Sequence, residues 1–151
     1  MNVMIIGGGG REHALAERLA RSPRIGKLCA LPGNGGIAAL AECVPIPATD
    51  LDALVAFARE RSIDFAVVAP DDPLVMGLVD RLEAAGVRCF GPDARAAAIE
   101  GSKVYAKDLM RRYGIPTARY EVFDDADRAL AYVASAKGPM VVKADGLARG
   151  K

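Results

Sequence analysis

The sequence predicts an α/β protein, with a doubly wound parallel sheet over residues 1–101 and the opening of a second unit over residues 102–151. Three observations carry that reading. Short apolar runs alternate with helix-length amphipathic stretches from Asn2 to about Gly91, a pattern that implies crossover connections and parallel strands. The predicted strand ends carry "GGGGREH", "PGNGG", "APDDP" and "GPDA", and parallel sheets bind ligands beyond such carboxyl ends. After Gly91 two helical segments hinge at Gly101, and a strand–helix–strand pattern then begins anew.

Taken in order, the β-branched run Val3–Ile6 predicts the first strand, and Glu12–Arg21 a helix behind the glycine cluster Gly7–Gly10. Lys27–Leu31 is a second strand. Cys43–Ile46 is a third, confined to an edge or a very short stretch by Pro45 and Pro47. Thr49, with Asp52 three residues on, predicts a capped helix whose apolar face holds Leu51, Leu54, Val55 and Ala58. Phe65–Ala69 is a fourth strand, Leu74–Ala85 a helix and Val87–Phe90 a fifth strand. Ala94–Glu100 and Ser102–Tyr113 follow as helices, the second ended by "YGIP", because Gly114 suits a left-handed cap and Pro116 cannot continue a helix. Arg119–Phe123 and Met140–Lys143 read as strands flanking a helix at Asp124–Lys137.

The chain has 151 residues, 52% of them hydrophobic, enough for a core of its own. Its net charge of +1 argues against a nucleic-acid or membrane surface. No apolar run approaches the ~18 residues of a membrane span, and Met1–Gly10 lacks the basic start of a signal peptide. Cys29, Cys43 and Cys89 are odd in number and share no metal-like spacing, so they read as free thiols beside apolar runs. These features predict a cytoplasmic location.

The glycine cluster fails as a dinucleotide fingerprint. Starting G-x-G at Gly7 puts Glu12 at the third glycine position, and starting at Gly8 puts His13 there. The second strand also ends in Pro32, Gly33 and Asn34, with no acidic residue for a ribose 2′-hydroxyl. Two readings stay open: a phosphate held by free backbone N–H groups at a helix start, or glycines that only make a tight turn. Asp71 and Asp72 either accept from a ligand hydroxyl or amine, or cap the following helix. His13 has no nucleophile pattern to partner it. Lys103 lies in a first helical turn, where a cation opposes the helix dipole, and is either solvated or aimed at an anion. Lys143 interrupts an apolar strand, and a buried lysine needs negative charge beside it. One phosphate can serve both lysines.

In this order, "GGGGREHAL", "LPGNGG", "PLVMGLVDRLEAAGVRCFGP", "EGSKVYAKDLMRRYGIPTARYEVF" and "VVKADGLARGK" resemble the phosphoribosylamine–glycine ligases, the glycinamide ribonucleotide synthetases of purine synthesis. The resemblance spans essentially the whole chain. It implies a Rossmann-like N-terminal domain at 1–101 that binds 5-phosphoribosylamine, and the start of an ATP-grasp domain at 102–151. It further implies an enzyme that uses ATP and Mg²⁺ to join glycine to 5-phosphoribosylamine through a glycyl phosphate, giving glycinamide ribonucleotide, ADP and phosphate. Residue by residue, Gly9, Gly10, Arg11, Glu12, Pro32, Gly33, Asn34 and Asp71 match the phosphoribosylamine side. Lys103 and Lys143 match the two lysines placed on the nucleotide phosphates, and Gly146–Gly150 the loop that closes over them. No catalytic residue or metal ligand is assigned within the chain; the metal ligands and adenine pocket are expected beyond residue 151. The chain departs from the family at Asp71 and Asp72, where a glutamate and an alanine are frequent, and at Arg149, a position commonly held by a small residue. The chain therefore reads as the N-terminal portion of such a ligase, expected to be inactive alone. The competing readings are another ATP-grasp carboxylate–amine ligase and a free-standing nucleotide-binding module.

Overall fold

In the computed structural model, residues 1–148 are described. They fall into two compact units, Met1–Gly101 and the part that begins at Ser102. The first unit is built on five strands: β1 (Asn2–Gly7), β2 (Lys27–Pro32), β3 (Glu42–Cys43), β4 (Phe65–Val68) and β5 (Arg88–Phe90). All pairings are parallel, in the order β3-β2-β1-β4-β5. The doubly wound sheet is thus present, and its order reverses between β1 and β4.

β1 is the centre because its side chains are apolar on both faces. Met4 and Ile6 join one core with Leu31, Ala66 and Val68, while Ile5 joins a second with Ala30 and Val67. Alternation along a strand makes this division unavoidable. Helix α1 (Gly10–Ala20) covers the second face through Ala16, assisted by the single turn at Ile37–Ala39. Helices α2 (Leu51–Glu60), α3 (Asp71–Val75), α4 (Leu78–Ala84) and α5 (Ala94–Gly101) supply the first face with Leu54, Leu74, Leu78, Leu82 and Ala97. The helices change face where the strand order reverses, which makes the β1/β4 boundary the topological switch point.

Three local expectations are corrected. Asp50, not Thr49, caps α2, its carboxylate accepting from Ala53 N at 3.1 Å. The helix expected at Leu74–Ala85 is two helices, α3 and α4, because Gly77 takes φ +85° between them. The third strand shrinks to two residues just before Pro45, as a residue without a ladder N–H requires.

The second unit, taken by itself, holds α6 (Lys103–Arg112) and α7 (Ala126–Ser135). Ser102 caps α6 by accepting from Tyr105 N at 3.0 Å. Its other end closes as expected on Gly114 (φ +65°), with Ile115 N donating to Met110 O at 2.8 Å and Gly114 N to Arg111 O at 3.4 Å. The following coil folds back on α6 through Tyr120, whose hydroxyl donates to Asp108 at 2.9 Å beneath Lys107 and Arg111. Neither Arg119–Phe123 nor Met140–Lys143 forms a strand. A strand exists by virtue of a hydrogen-bonded neighbour, and among the described residues of this unit no second strand runs alongside either segment. Val141 and Val142 are accordingly exposed, and so is Lys143.

Candidate functional site

The loops that leave β1 and β2 are locked together on the side of β1 away from β4. Gly7 has φ +112°, and a Cβ there would stand 2.8 Å from Pro70 Cγ and 3.0 Å from Glu12 Cγ. A Cβ on Gly8 would lie 2.2 Å from the carbonyl oxygen of Gly33. Gly33, itself at φ +73°, donates its N–H to Gly7 O at 3.2 Å. Asn34 completes the clasp: its Nδ2 donates to Gly8 O at 2.8 Å, and its Oδ1 accepts from Ile37 N at 2.9 Å. Pro32, in register with Gly7, is exposed at the end of β2 and follows a cis peptide bond. The structure therefore brings the "GGGG" and "PGNGG" turns into direct contact. Much of what Gly33 and Asn34 do there is hold one loop on the other.

Beyond the clasp the amino end of α1 opens. The first three N–H groups of a helix have no intrahelical acceptor. Those of Gly10, Arg11 and Glu12 find no other acceptor among the described residues. Gly9 differs, since its N–H donates to Glu12 Oε2 at 2.6 Å. A Cβ on Gly10 would meet nothing within 4 Å. Glu12 is only 3% exposed, and its Oε1 makes no hydrogen bond; Arg11 Nε stands 3.9 Å away. A buried carboxylate oxygen without a donor is unusual and costly.

The sequence placed Gly9 and Gly10 together, but only Gly10 offers a free N–H. Asp71 is the first residue of α3, exposed and without a partner among the described residues, and Pro70 just before it abuts Gly7. It does not cap α3 through its side chain; Pro70 is the N-cap residue. His13 stacks its ring on Gly36, where a Cβ would come within 2.4 Å of Cε1.

In the second unit Lys103 Nζ donates to the carbonyl of Gly146, so these two expected phosphate contacts lie together. Lys143 is exposed and makes no contact with either among the described residues, so the argument from a buried lysine does not apply to it. Gly150 lies outside the described residues, as do Arg149 and Lys151. The sequence reading missed Asp145 as a contact-maker. It accepts from Lys103 N at 2.7 Å, Val104 N at 3.3 Å and the Ser102 hydroxyl at 3.0 Å. The Val104 amide first, then the Gly146 amide, the Ser102 hydroxyl and the Lys103 amide, hold its carboxyl below the usual range against the opposing effect of burial, which is second only to Val104. The sequence offers one signal for it: Asp145, with Lys143, interrupts the apolar run begun by Val141 and Val142. Among the described residues no three metal-ligating side chains converge.

Relatives match this chain along its whole length. The chain is 53% identical over 153 residues to a phosphoribosylamine–glycine ligase of Xanthomonas campestris, covering 100% of this chain and 36% of that protein. It is 52% identical over 151 residues to one from Halalkalibacterium halodurans, covering 100% of this chain and 35% of the relative. A crystal structure of the phosphoribosylamine–glycine ligase of Thermotoga maritima superposes with a TM-score of 0.77 at 34% identity, covering 100% of this chain and 34% of that one. The chain thus spans about a third of the length of the relatives it matches. The phosphoribosylglycinamide synthetase N domain matches residues 1–100, and the ATP-grasp (A) domain of the same synthetase matches residues 101–151. With the two domain signatures following one another along it, the first on the doubly wound sheet, the chain belongs to the phosphoribosylglycinamide synthetase family.

Proposed function

We propose that this chain provides the phosphoribosylamine-binding domain, and the first phosphate contacts, of an ATP-dependent ligase that joins glycine to 5-phosphoribosylamine in the cytoplasm. The products are glycinamide ribonucleotide, ADP and phosphate. The observation that carries the reading is the amino end of α1: three N–H groups, at Gly10, Arg11 and Glu12, without a partner among the described residues, at the switch point of a parallel sheet. Such a helix end is an anion site by virtue of its free donors and its dipole. The exposed Arg11 adds a full positive charge beside it.

The rest of the site suits a small phosphorylated sugar amine. Among the described residues, Glu12 Oε1 is an acceptor without a hydrogen-bond donor, and Asp71, one residue past Pro70, is a carboxylate without a partner. Both match a substrate bearing hydroxyls and an amine. The clasp of Gly8 on Gly33 occupies the place where a dinucleotide fold spends its glycines on a pyrophosphate, and no acidic residue ends β2. In the second unit, Lys103, whose ammonium donates to the Gly146 carbonyl, would touch a nucleotide phosphate together with Gly146, with Lys143 and Gly150 as further contacts of the same loop. ATP would supply the phosphoryl group that activates the glycine carboxylate. The described residues hold no cluster that fits Mg²⁺, so no step is assigned to the metal here. The net charge of +1 supports small-molecule partners over nucleic acid. No helix among the described residues is long and apolar enough to cross a membrane.

The test uses ribose 5-phosphate as probe in calorimetric titrations of the unsubstituted chain and of Gly10→Val. Because a side chain at Gly10 meets no protein atom, Gly10→Val leaves the fold intact while filling the space before the free amides. Binding that weakens at least about tenfold in the variant, with no binding of NAD, is the expected outcome. Equal binding by both proteins, or tight NAD binding, would show that the cluster is only a turn.

A further inference from the structure

The second unit contains one side chain that ties its two ends together. Asp145 lies 42 residues after Lys103, yet its Oδ1 accepts from the Lys103 backbone N–H at 2.7 Å and from Val104 N at 3.3 Å. The Ser102 hydroxyl approaches both oxygens, at 3.2 and 3.0 Å, while its own oxygen accepts from Tyr105 N. All three leading N–H groups of α6 are thereby satisfied, two of them by a carboxylate supplied from the far end of the described chain. The next residue, Gly146, turns at φ +87° and presents its carbonyl to Lys103 Nζ.

We propose that Asp145 is the positioning residue of the phosphate site in this unit: anchored on the amino end of α6, it sets the Gly146 turn against the Lys103 ammonium so that both meet a polyphosphate together. The inference rests on the reading of Lys103 and Gly146 as nucleotide-phosphate contacts. Since Asp145 already fills the amino end of α6, that helix end is not itself the anion site. The ammonium carries three hydrogens, and among the described residues only Gly146 accepts one, which leaves two for a phosphate. Ordering Lys103 and the turn in advance removes a conformational cost from binding.

A second role for the same carboxylate makes the opposite forecast. Asp145 is a negative charge beside the site, so Coulomb repulsion alone would have its removal strengthen anion binding. As an anchor, its removal weakens binding by freeing the turn from α6. The sign of the effect decides.

The experiment titrates inorganic tripolyphosphate into the 151-residue chain at constant ionic strength and follows the Lys103 and Val104 amides by hydrogen exchange. The unsubstituted chain is compared with Lys103→Ala, Asp145→Ala and Asp145→Asn. Asp145→Ala is expected to weaken binding about tenfold and to accelerate exchange at both amides. Asp145→Asn keeps an acceptor oxygen while losing the charge, and is expected to stay within about threefold of the parent. Tighter binding by Asp145→Ala, or equal loss in the Ala and Asn variants, overturns the anchoring role. Weakening by Lys103→Ala with none by Asp145→Ala overturns the inference while leaving the phosphate reading in place. No binding by the unsubstituted chain, or binding indifferent to Lys103→Ala, overturns the phosphate reading and the inference with it.

Discussion

Gly8→Ala and Gly10→Ala, two substitutions two residues apart in one glycine run, should act on stability in opposite directions. At Gly8 the new Cβ would stand 2.2 Å from the Gly33 carbonyl oxygen and 2.9 Å from its carbon. A carbon–oxygen contact settles at roughly 3.3 Å, so the two loops must part by about 1 Å. That displacement takes Gly33 N–H out of reach of Gly7 O and strains the Asn34 bond to Gly8 O. Two hydrogen bonds at about 1 kcal/mol each, with roughly 1–2 kcal/mol of overpacking, give a loss of about 3–4 kcal/mol. Against a typical total of about 5–15 kcal/mol this is severe. With a urea slope of roughly 2 kcal/mol per molar, the unfolding midpoint should fall by about 1.5–2 M. At Gly10 a Cβ meets nothing and the backbone is not left-handed. Alanine there should be neutral or stabilise by up to about 0.5 kcal/mol through the unfolded chain. Urea unfolding followed by far-ultraviolet circular dichroism measures both. The clasp is refuted if Gly8→Ala stays within about 0.5 kcal/mol of the parent, or if Gly10→Ala costs as much as Gly8→Ala.

Two further outcomes follow from single contacts. Asp50→Ala should lose about 1 kcal/mol by removing the α2 cap, whereas Thr49→Ala should change stability by less than about 0.5 kcal/mol; the reverse ranking in urea melts would return the cap to Thr49. Burial first, and Glu83 second, push the Cys89 thiol up to about 11. Its thiolate fraction at pH 7 is then only about 10⁻⁴, so alkylation by iodoacetamide should run roughly 100-fold slower than at an ordinary thiol. The rate should keep climbing to about pH 11. Because the folded value is raised, the thiol's contribution to stability is full below the ordinary value of 9.0 and is lost as pH rises through the folded one. An alkylation profile that levels off by pH 9 would contradict the burial of this thiol.

The parallel sheet was legible because its evidence is long-range and redundant: several apolar runs, spaced by helices, agree on one architecture. β1 announced itself most clearly, since a strand buried on both faces must be apolar at every position, as Val3–Ile6 is. The errors fell where the signal was a single residue. Thr49 and Asp50 both suit a cap, and only the backbone path decides which side chain faces Ala53 N. Gly77 sits inside an apolar pattern that continues on either side of it, so periodicity reads straight through the break. Val141 and Val142 have strong strand propensity, but propensity supplies no neighbouring strand, and without one the segment is coil.

At the site, residue type told where contacts are possible and left open which residue makes them. Four consecutive glycines look equivalent in the sequence. Their partners divide them: Gly7 against Pro70, Gly8 against Gly33, Gly9 bonded to Glu12, and only Gly10 facing open space. That division depends on β2 lying beside β1, with Pro32 in register with Gly7, a relation across 25 residues that no local pattern encodes. Asp145 was obscured for the same reason, because its partners begin at Ser102 and it reads as one polar residue in a loop named for its glycines. Glu12 shows the converse. Its place in the first turn of α1 explains the bond from Gly9 N–H to Oε2 as an ordinary cap, but it does not explain why Oε1 is buried without a donor. A cap alone would leave that oxygen in water. A ligand bearing both an anion and a hydrogen-bond donor would satisfy this oxygen, now 3.9 Å from Arg11 Nε, together with the three amides left free among the described residues.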